Sequence, residues 1–208
     1  MRNLFLSSVL TMLISLLAMG ASWASETVKL IMTTSAGEVM LELYPEAAPT
    51  TVSNFLKYVD GGHYEGGEFY RVVRDDNQAQ NNIKIGVIQG GMGMDATDAP
   101  FPAIAHETTQ DSGLLHKDGV ISMARNQPGT ATSEFFICVK DQPSLDFGGM
   151  RNPDGQGFAA FGKVTGGMDI VRKIQKMNTI QPKSAELEYT SGQILIAPVV
   201  IQTIKRVE

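Results

Sequence analysis

The sequence predicts a single, mainly β domain, either a barrel or a sandwich, from three observations. Short apolar runs of strand character recur along the chain, only two segments have helical spacing, and strands and helices do not alternate regularly. The 21 glycines among 208 residues suit the many tight turns of an antiparallel β protein. With 43% hydrophobic and 19% charged residues, the composition is that of an ordinary globular protein. No internal repeat or linker divides the chain.

The first predicted elements are a hairpin and a helix. Apolar and polar residues alternate over residues 28–32 and 39–43, on either side of the turn Ser35-Ala36-Gly37. Pro49 is suited to the first turn of a helix, and from Val52 apolar residues follow at i, i+3, i+4 and i+7. Gly61-Gly62 ends this segment, which is the most regular helix pattern in the chain.

The rest of the chain is predicted as strands, one further helix and polar loops. The predicted helix covers residues 168–176. The predicted strands cover residues 69–73, 83–89, 120–124, 135–139, 158–164 and 194–207. The predicted loops cover residues 74–82, 95–112 and 144–157.

The N-terminus has the pattern of a secretory signal peptide. Arg2 precedes an apolar run over residues 9–19, and Ser22-Trp23-Ala24 fits a cleavage site of small residues. We expect cleavage after Ala24, which gives a signal peptide of residues 1–24 and a mature domain of residues 25–208 in the periplasm or outside the cell. The alternative is an uncleaved membrane anchor, but the apolar run is shorter than the roughly 20 residues of a spanning helix.

Charge and side-chain chemistry exclude several classes of function. The net charge is −5 and the basic residues form no run, so we expect no nucleic-acid partner. Cys138 is the only cysteine, and its apolar surroundings predict a buried, unreactive thiol. His63, His106 and His116 lack metal-ligand spacing and are predicted as separate, solvated side chains. We expect no metal ion and no cofactor.

Five short segments carry a pattern that none of the motifs above explains. They are Phe69-Tyr70-Arg71-Val72-Val73, Val87-Ile88-Gln89-Gly90-Gly91, Ser122-Met123-Ala124-Arg125-Asn126, Thr132-Ser133-Glu134-Phe135-Phe136-Ile137 and Phe161-Gly162-Lys163-Val164. Taken in this order, they resemble the motifs of the cyclophilins, a class of peptidyl-prolyl isomerases, and the resemblance covers residues from about 28 to 207. It implies a closed eight-stranded antiparallel barrel capped by two α-helices, with the active site on the outer face of the barrel. It also implies a monomer that isomerises Xaa-Pro bonds of proline-containing polypeptides.

The resemblance assigns ten site residues. Arg71 matches the catalytic arginine, and Phe136 matches the floor of the pocket for the proline ring. Arg125 is expected to bind peptide through its backbone, and Leu145 is expected to form a pocket wall. The full set of expected substrate-binding residues is Gln89, Val87, Ala124, Arg125, Asn126, Glu134, Phe136, Leu145 and Phe158.

An arginine suits this reaction because no bond has to break. Delocalisation of the nitrogen lone pair opposes rotation of a peptide bond with a barrier of about 18–20 kcal/mol. A catalyst must hold the flanking peptide, grip the proline ring and favour a pyramidal nitrogen. The planar guanidinium of Arg71 can donate hydrogen bonds while it stays charged at any working pH.

The sequence also departs from the family pattern. A polar insertion replaces the usual Pro-Gly-Phe before Val87, so an aromatic residue of the proline pocket is missing or is supplied from elsewhere. Glu134, Phe158 and Arg125 replace a glutamine, a histidine and an asparagine, respectively. Ser144 stands where members sensitive to cyclosporin carry tryptophan. Two alternatives therefore stay open: a peptide-binding or chaperone module with little turnover, and a membrane-anchored scaffold.

Overall fold

The structure, a computed structural model, describes residues 26–93, 99–180 and 189–207. The predicted signal peptide of residues 1–24 lies outside this part of the chain. Nine strands form one antiparallel sheet in the order β1-β2-β7-β5-β6-β4-β3-β9-β8. The strands are β1 (Val28–Thr34), β2 (Gly37–Leu43), β3 (Glu68–Val73), β4 (Val87–Gly91), β5 (Val120–Met123), β6 (Phe135–Cys138), β7 (Ala159–Gly166), β8 (Thr179–Ile180) and β9 (Ile194–Arg206).

The sheet closes into a barrel because its long last strand returns to the first. Strand β9 pairs with β1 as well as with β3, and its first residues also pair with the two-residue strand β8. The closed ring therefore contains eight strands, with β8 outside it. This confirms the predicted eight-stranded antiparallel barrel.

Both predicted helices are present, as α1 (Pro49–Asp60) and α3 (Met168–Gln175). A third helix, α2 (Thr109–Ser112), is a single turn within a segment that was predicted as a loop. It forms because Thr108 and Asp111 make a reciprocal capping box and Gly113 adopts a left-handed φ of 72°. A 3₁₀ turn covers Pro143–Leu145. Over the described ranges, none of these helices is long and apolar enough to cross a bilayer.

Helix α1 is fixed at its start by a residue from a distant loop. The carboxylate of Glu107 accepts hydrogen bonds from the backbone amides of Thr50 and Thr51, at 2.9 and 2.8 Å. These amides have no partner within the helix, and a negative charge at this end also stabilises the helix dipole. At its middle, Phe55 packs into the barrel against Phe135 and Phe161, with ring centroids 5.4 and 5.1 Å away.

The apolar residues form two clusters, one inside the barrel and one outside it. Along β6, Phe135 and Ile137 belong to the interior cluster, whereas Phe136 and Cys138 belong to the outer cluster. This alternation follows from the two-residue period of a strand. Cys138 is fully buried, as predicted, and burial raises the pKa of its thiol. The outer cluster lies under the candidate site.

Strand β4 begins later than the sequence predicted. The predicted strand covered residues 83–89, whereas β4 starts at Val87. The preceding residues are instead tied to the polar insertion, because buried Gln78 exchanges two hydrogen bonds with the backbone of Ile85, at 2.7 and 3.2 Å. Hydrophobicity alone could not separate this anchored loop from a strand.

Candidate active site

A cleft of about 470 Å³ lies over the outer cluster, and all ten site residues expected from the sequence line it. Strands β3, β4 and β6 supply residues of its floor, and the loops that follow β5 and precede β7 supply residues of its walls. The ten residues are Arg71, Val87, Gln89, Ala124, Arg125, Asn126, Glu134, Phe136, Leu145 and Phe158. The structure thus brings them together, while their individual roles stay predictions.

The guanidinium of Arg71 is held by two glutamine side chains. Its Nη1 donates to Oε1 of Gln89 at 2.7 Å. Its Nε and Nη2 both donate to Oε1 of Gln193, at 2.9 and 2.6 Å. Burial lowers the pKa of Arg71, but an arginine has so high an ordinary pKa that the side chain stays charged. The guanidinium is therefore a fixed cation, and the two glutamines that hold it are neutral.

An aromatic ring faces Arg71 from the end of the chain. The guanidinium carbon lies 5.6 Å from the centre of the Tyr189 ring, within the range of a cation–π contact. Tyr189 lines the same cleft and is about half exposed. It thus brings an aromatic group to a site in which the sequence pattern lacks one.

Gln89 connects Arg71 to a buried carboxylate. While its Oε1 accepts from Arg71, its Nε2 donates to the hydroxyl of Tyr70 at 2.9 Å. Burial raises the pKa of the neighbouring Glu134, although hydrogen bonds from Tyr70 and from the Met92 amide partly offset this effect. Burial and the nearby Glu134 also raise the pKa of Tyr70. Because the Tyr70 hydroxyl can donate its own proton to Glu134, it can accept from Nε2 of Gln89. This orients the Gln89 amide with Oε1 towards Arg71 and Nε2 towards Tyr70.

Phe136 forms the apolar floor of the cleft. Its ring contacts Phe158 edge to face, with centroids 5.2 Å apart and planes at 88°. On another side it stacks on His116, at 5.9 Å and 17°. Val87 and Leu145 complete the outer cluster around it. Such an apolar floor can bind a proline ring, and its neighbours restrict the rotation of Phe136.

His116 corrects the prediction of solvated histidines. It is 1% exposed, and its ring nitrogens lie 2.7 Å from Oδ1 of Asp146 and 2.9 Å from Oγ of Ser122. Burial alone would raise the pKa of Asp146, but hydrogen bonds from the ring and backbone of His116 lower it overall. His116 lies between Ser122 and Asp146, as the histidine does in the hydrogen-bonded Ser-His-Asp triad of a hydrolase. Ser122 is fully buried, however, so no substrate can reach it. The cluster supports Phe136 from below.

The side chain of Arg125 is used within the protein. It makes two hydrogen bonds to the carboxylate of Asp154, at 2.7 and 3.0 Å, and its guanidinium carbon lies 5.2 Å from the centre of the Phe158 ring. The hydrogen bond from Arg125 lowers the pKa of Asp154 to about 2. The side chain of Arg125 is therefore engaged within the protein, and the peptide-binding role of its backbone stays a prediction.

Comparison with known proteins identifies the family. Residues 29–202 match the family described as cyclophilin type peptidyl-prolyl cis-trans isomerase/CLD. The chain belongs to the cyclophilin-type peptidyl-prolyl isomerases. Peptidyl-prolyl cis-trans isomerase cyp18 of Streptomyces antibioticus is 38% identical over 178 residues, which are 83% of this chain and 94% of that protein. Peptidyl-prolyl cis-trans isomerase A of Dickeya dadantii is 37% identical over 186 residues, 86% and 87% of the two chains.

Solved structures confirm the fold of this isomerase. A cyclophilin-type isomerase of Cryptosporidium parvum superimposes with a TM-score of 0.64, covering 88% of this chain and 99% of that one, at 19% identity. The same parasite protein, solved in the presence of the dipeptide Ala-Pro, also gives a TM-score of 0.64, at 20% identity, covering 86% and 99%. At such identities the likeness supports the barrel and not the individual site residues.

The cleft of this cyclophilin has the parts that prolyl isomerisation requires. A guanidinium carries five N–H donors, and the glutamines occupy three of those of Arg71. One N–H donor on each terminal nitrogen is therefore without an acceptor among the described residues. Phe136 supplies an apolar surface on the floor of the same cleft. Over residues 26–93, 99–180 and 189–207, no three acidic, histidine or cysteine side chains are grouped as metal ligands.

Sequence reasoning missed three residues that shape the site. Gln193 and Tyr189 contact Arg71 from a position more than 110 residues away in the chain, outside every family motif. Arg151 also lines the cleft, within a segment predicted as a loop. No local pattern indicated these contacts, because each depends on how the barrel closes. Ser144 does not line the cleft.

Proposed function

We propose that Arg71 is the catalytic residue of this isomerase and acts through the two N–H donors that the glutamines leave free. These donors contact the proline nitrogen as it becomes pyramidal and its lone pair, no longer delocalised into the carbonyl, localises on the nitrogen. The observation that carries the proposal is the fixed geometry of the guanidinium, bonded to Gln89 and Gln193 in the same cleft as Phe136. A preorganised donor of this kind needs no rearrangement during the reaction.

The other expected residues bind the peptide. Phe136 receives the proline ring, with Val87, Leu145 and Phe158 around it. Tyr189 takes the place of the missing aromatic, which supports turnover over the alternative of a binding module with little activity. Backbone groups of Ala124, Arg125 and Asn126, and the side chains of Gln89 and Glu134, hold the flanking peptide.

The substrates are proline-containing segments of exported proteins during folding. The support for this is the pattern of residues 1–24, which predicts export and cleavage after Ala24. After cleavage the protein works as a soluble monomer in the periplasm or outside the cell, without a cofactor or a nucleic-acid partner. Intact-mass measurement on protein from the exported fraction tests this, and a mass that includes Met1 to Ala24 would contradict it.

Titration of the isotope-labelled mature domain with a proline peptide tests the site. Backbone amide signals of Gln89, Ala124, Arg125 and Asn126 should move as the peptide saturates the protein. Signals from the surface groove beside helix α1, at Val52 and Leu56, should stay in place and serve as the control. The opposite pattern would mean that peptides bind elsewhere.

A further inference from the structure

The polar insertion before β4 shapes one side of the cleft and does more than remove an aromatic residue. Gln78 of the insertion is fully buried and donates to the backbone oxygens of Arg74 and Ile85, at 2.8 and 2.7 Å. The side-chain oxygen of Gln78, Oε1, accepts from Nη1 of Arg151 at 3.0 Å. The carbonyl of Ile83 also accepts from this nitrogen. The insertion thus holds the guanidinium of Arg151 in a defined position.

Arg151 enters the cleft beside the position where cyclosporin-sensitive relatives carry tryptophan. Its backbone amide donates to the carbonyl of Ser144 at 3.1 Å, and its side chain lines the cleft together with Arg71. The cleft thus contains the guanidinium of Arg151 in addition to that of Arg71. No family motif includes it, since Arg151 lies between the Leu145 and Phe158 positions.

The charges of Arg71 and Arg151 are not neutralised within the described part of the chain. Neither side chain forms an ion pair there, whereas Arg125 is paired with Asp154 at 2.7 Å. Burial and the positive charge of Arg71 together lower the pKa of Arg151 to about 10. Glu134 is the acidic side chain among the described lining residues, and its carboxylate accepts from the Met92 amide at 3.0 Å.

We propose that Arg151 forms a subsite for a carboxylate of the substrate, so that the isomerase favours prolyl peptides with an acidic residue close to the proline. The inference rests on the proposed function of the cleft. Nε and Nη2 of Arg151 have no acceptor among the described residues, so one edge of the guanidinium, with donors on both nitrogens, is left for the two oxygens of a carboxylate. A bound carboxylate would also offset the repulsion between the two guanidinium groups. The carboxylate belongs to an Asp or Glu side chain or to a free C-terminus.

Matched peptides measure this preference directly. Each peptide is amidated and contains one Xaa-Pro bond. Glu, or its neutral analogue Gln, is placed in turn at each of the two positions before the Xaa-Pro pair and at each of the two positions after it, which gives four positions. Isomerisation is followed by NMR exchange, which needs no coupling protease, at low and at 0.5 M salt. We expect kcat/KM for Glu to exceed that for Gln by about 2- to 5-fold at one or more positions, which corresponds to roughly 0.4–1 kcal/mol, the upper part of the range for exposed ion pairs. The difference should appear in KM and shrink at high salt.

Three variants assign the preference to Arg151. Arg151→Gln should bring the Glu to Gln ratio to about one, whatever its absolute rate. Arg151→Lys keeps the charge and should keep part of the ratio, which covers the case in which the glutamine variant does not fold. Arg172→Gln removes the same charge from a surface pair with Asp118 and should keep the full ratio. Comparing amidated with free-acid peptides distinguishes a C-terminal carboxylate from a side chain.

Equal rates for Glu and Gln peptides at all four positions, and for amidated and free-acid peptides, would overturn the inference. An unchanged ratio in Arg151→Gln would do the same. A failure of the proposed catalytic role of Arg71 would give a different result. In that case Arg71→Ala would turn over the neutral Gln peptides as fast as wild type does.

Discussion

Oε1 of Gln193 accepts hydrogen bonds from both Nε and Nη2 of Arg71, at 2.9 and 2.6 Å. Gln193 is fully buried immediately before β9, and its own backbone carbonyl accepts from the Val72 amide beside Arg71. One residue therefore fixes both the strand that carries Arg71 and the plane of its guanidinium. Its Nε2 is buried and has no hydrogen-bond partner among the described residues, so the contact with Arg71 is made by the acceptor oxygen of the amide.

Replacing Gln193 tests this positioning role. Gln193→Met keeps the length of the side chain but removes the acceptor, and the loss of roughly 1–2 kcal/mol should lower kcat/KM by about 5- to 30-fold. The effect should lie mainly in kcat, because the orientation of Arg71 matters most in the transition state. Gln193→Glu keeps an acceptor for both nitrogens and should stay closer to wild type. Equal kcat values for Gln193→Met and wild type would show that Gln193 does not orient Arg71.

The sequence predicted the eight strands of the barrel, helices α1 and α3 and ten of the residues that line the cleft, because these depend on local patterns and on the order of motifs. It could not predict Gln193 or Tyr189 as partners of Arg71, since closure of the barrel brings these distant residues together. It misplaced the start of β4 because the contact between Gln78 and Ile85 leaves no mark on hydrophobicity. His116 was wrongly predicted as solvated because its partners, Asp146 and Ser122, belong to other segments of the chain.

His116 should matter for stability and for the proline pocket. His116→Gln breaks the contacts with Asp146 and Ser122 in a buried place, so we expect a loss of about 1–3 kcal/mol in the free energy of unfolding. Because the ring also stacks on Phe136, KM for a proline peptide should rise. Urea titration and the isomerase assay measure the two effects. His63→Gln, outside the cleft, is the control and should cost less than about 1 kcal/mol. Similar losses for both variants would contradict the special role of His116.

Glu134 should make stability depend on pH in a predictable direction. Burial raises its pKa in the folded state above the unfolded value of about 4.3. The folded state therefore favours the protonated acid, so the contribution of Glu134 to stability is fully present below the unfolded pKa and is lost as pH rises through the folded pKa. Glu134→Gln should raise the melting temperature at neutral pH and lose this advantage near pH 4. If Glu134→Gln instead lowers the melting temperature at pH 7, the folded state favours the ionised carboxylate of Glu134, which contradicts the prediction.

Cyclosporin should bind weakly. Ser144 lacks the indole N–H and the apolar surface of the tryptophan in sensitive members, and Arg151 lies beside this position. Titration calorimetry should find an affinity well below that of sensitive relatives, and Ser144→Trp should tighten binding. Tight binding by the unmodified protein would mean that Ser144 does not correspond to that tryptophan.

The most direct test of the account compares Arg71→Lys and Arg71→Ala with wild type by kcat/KM on one neutral proline peptide. If the planar fork of donors held by Gln89 and Gln193 stabilises the twisted amide, charge alone is not enough. Both variants should then lose activity by about 10²–10³-fold, as expected for removal of a preorganised donor. Arg71→Ala should also lower the free energy of unfolding by about 1–3 kcal/mol, because it leaves the buried Oε1 of Gln193 without its donors, so activities are compared well below the melting temperature of each variant. Full activity of Arg71→Ala would contradict the assignment of Arg71 as the catalytic residue.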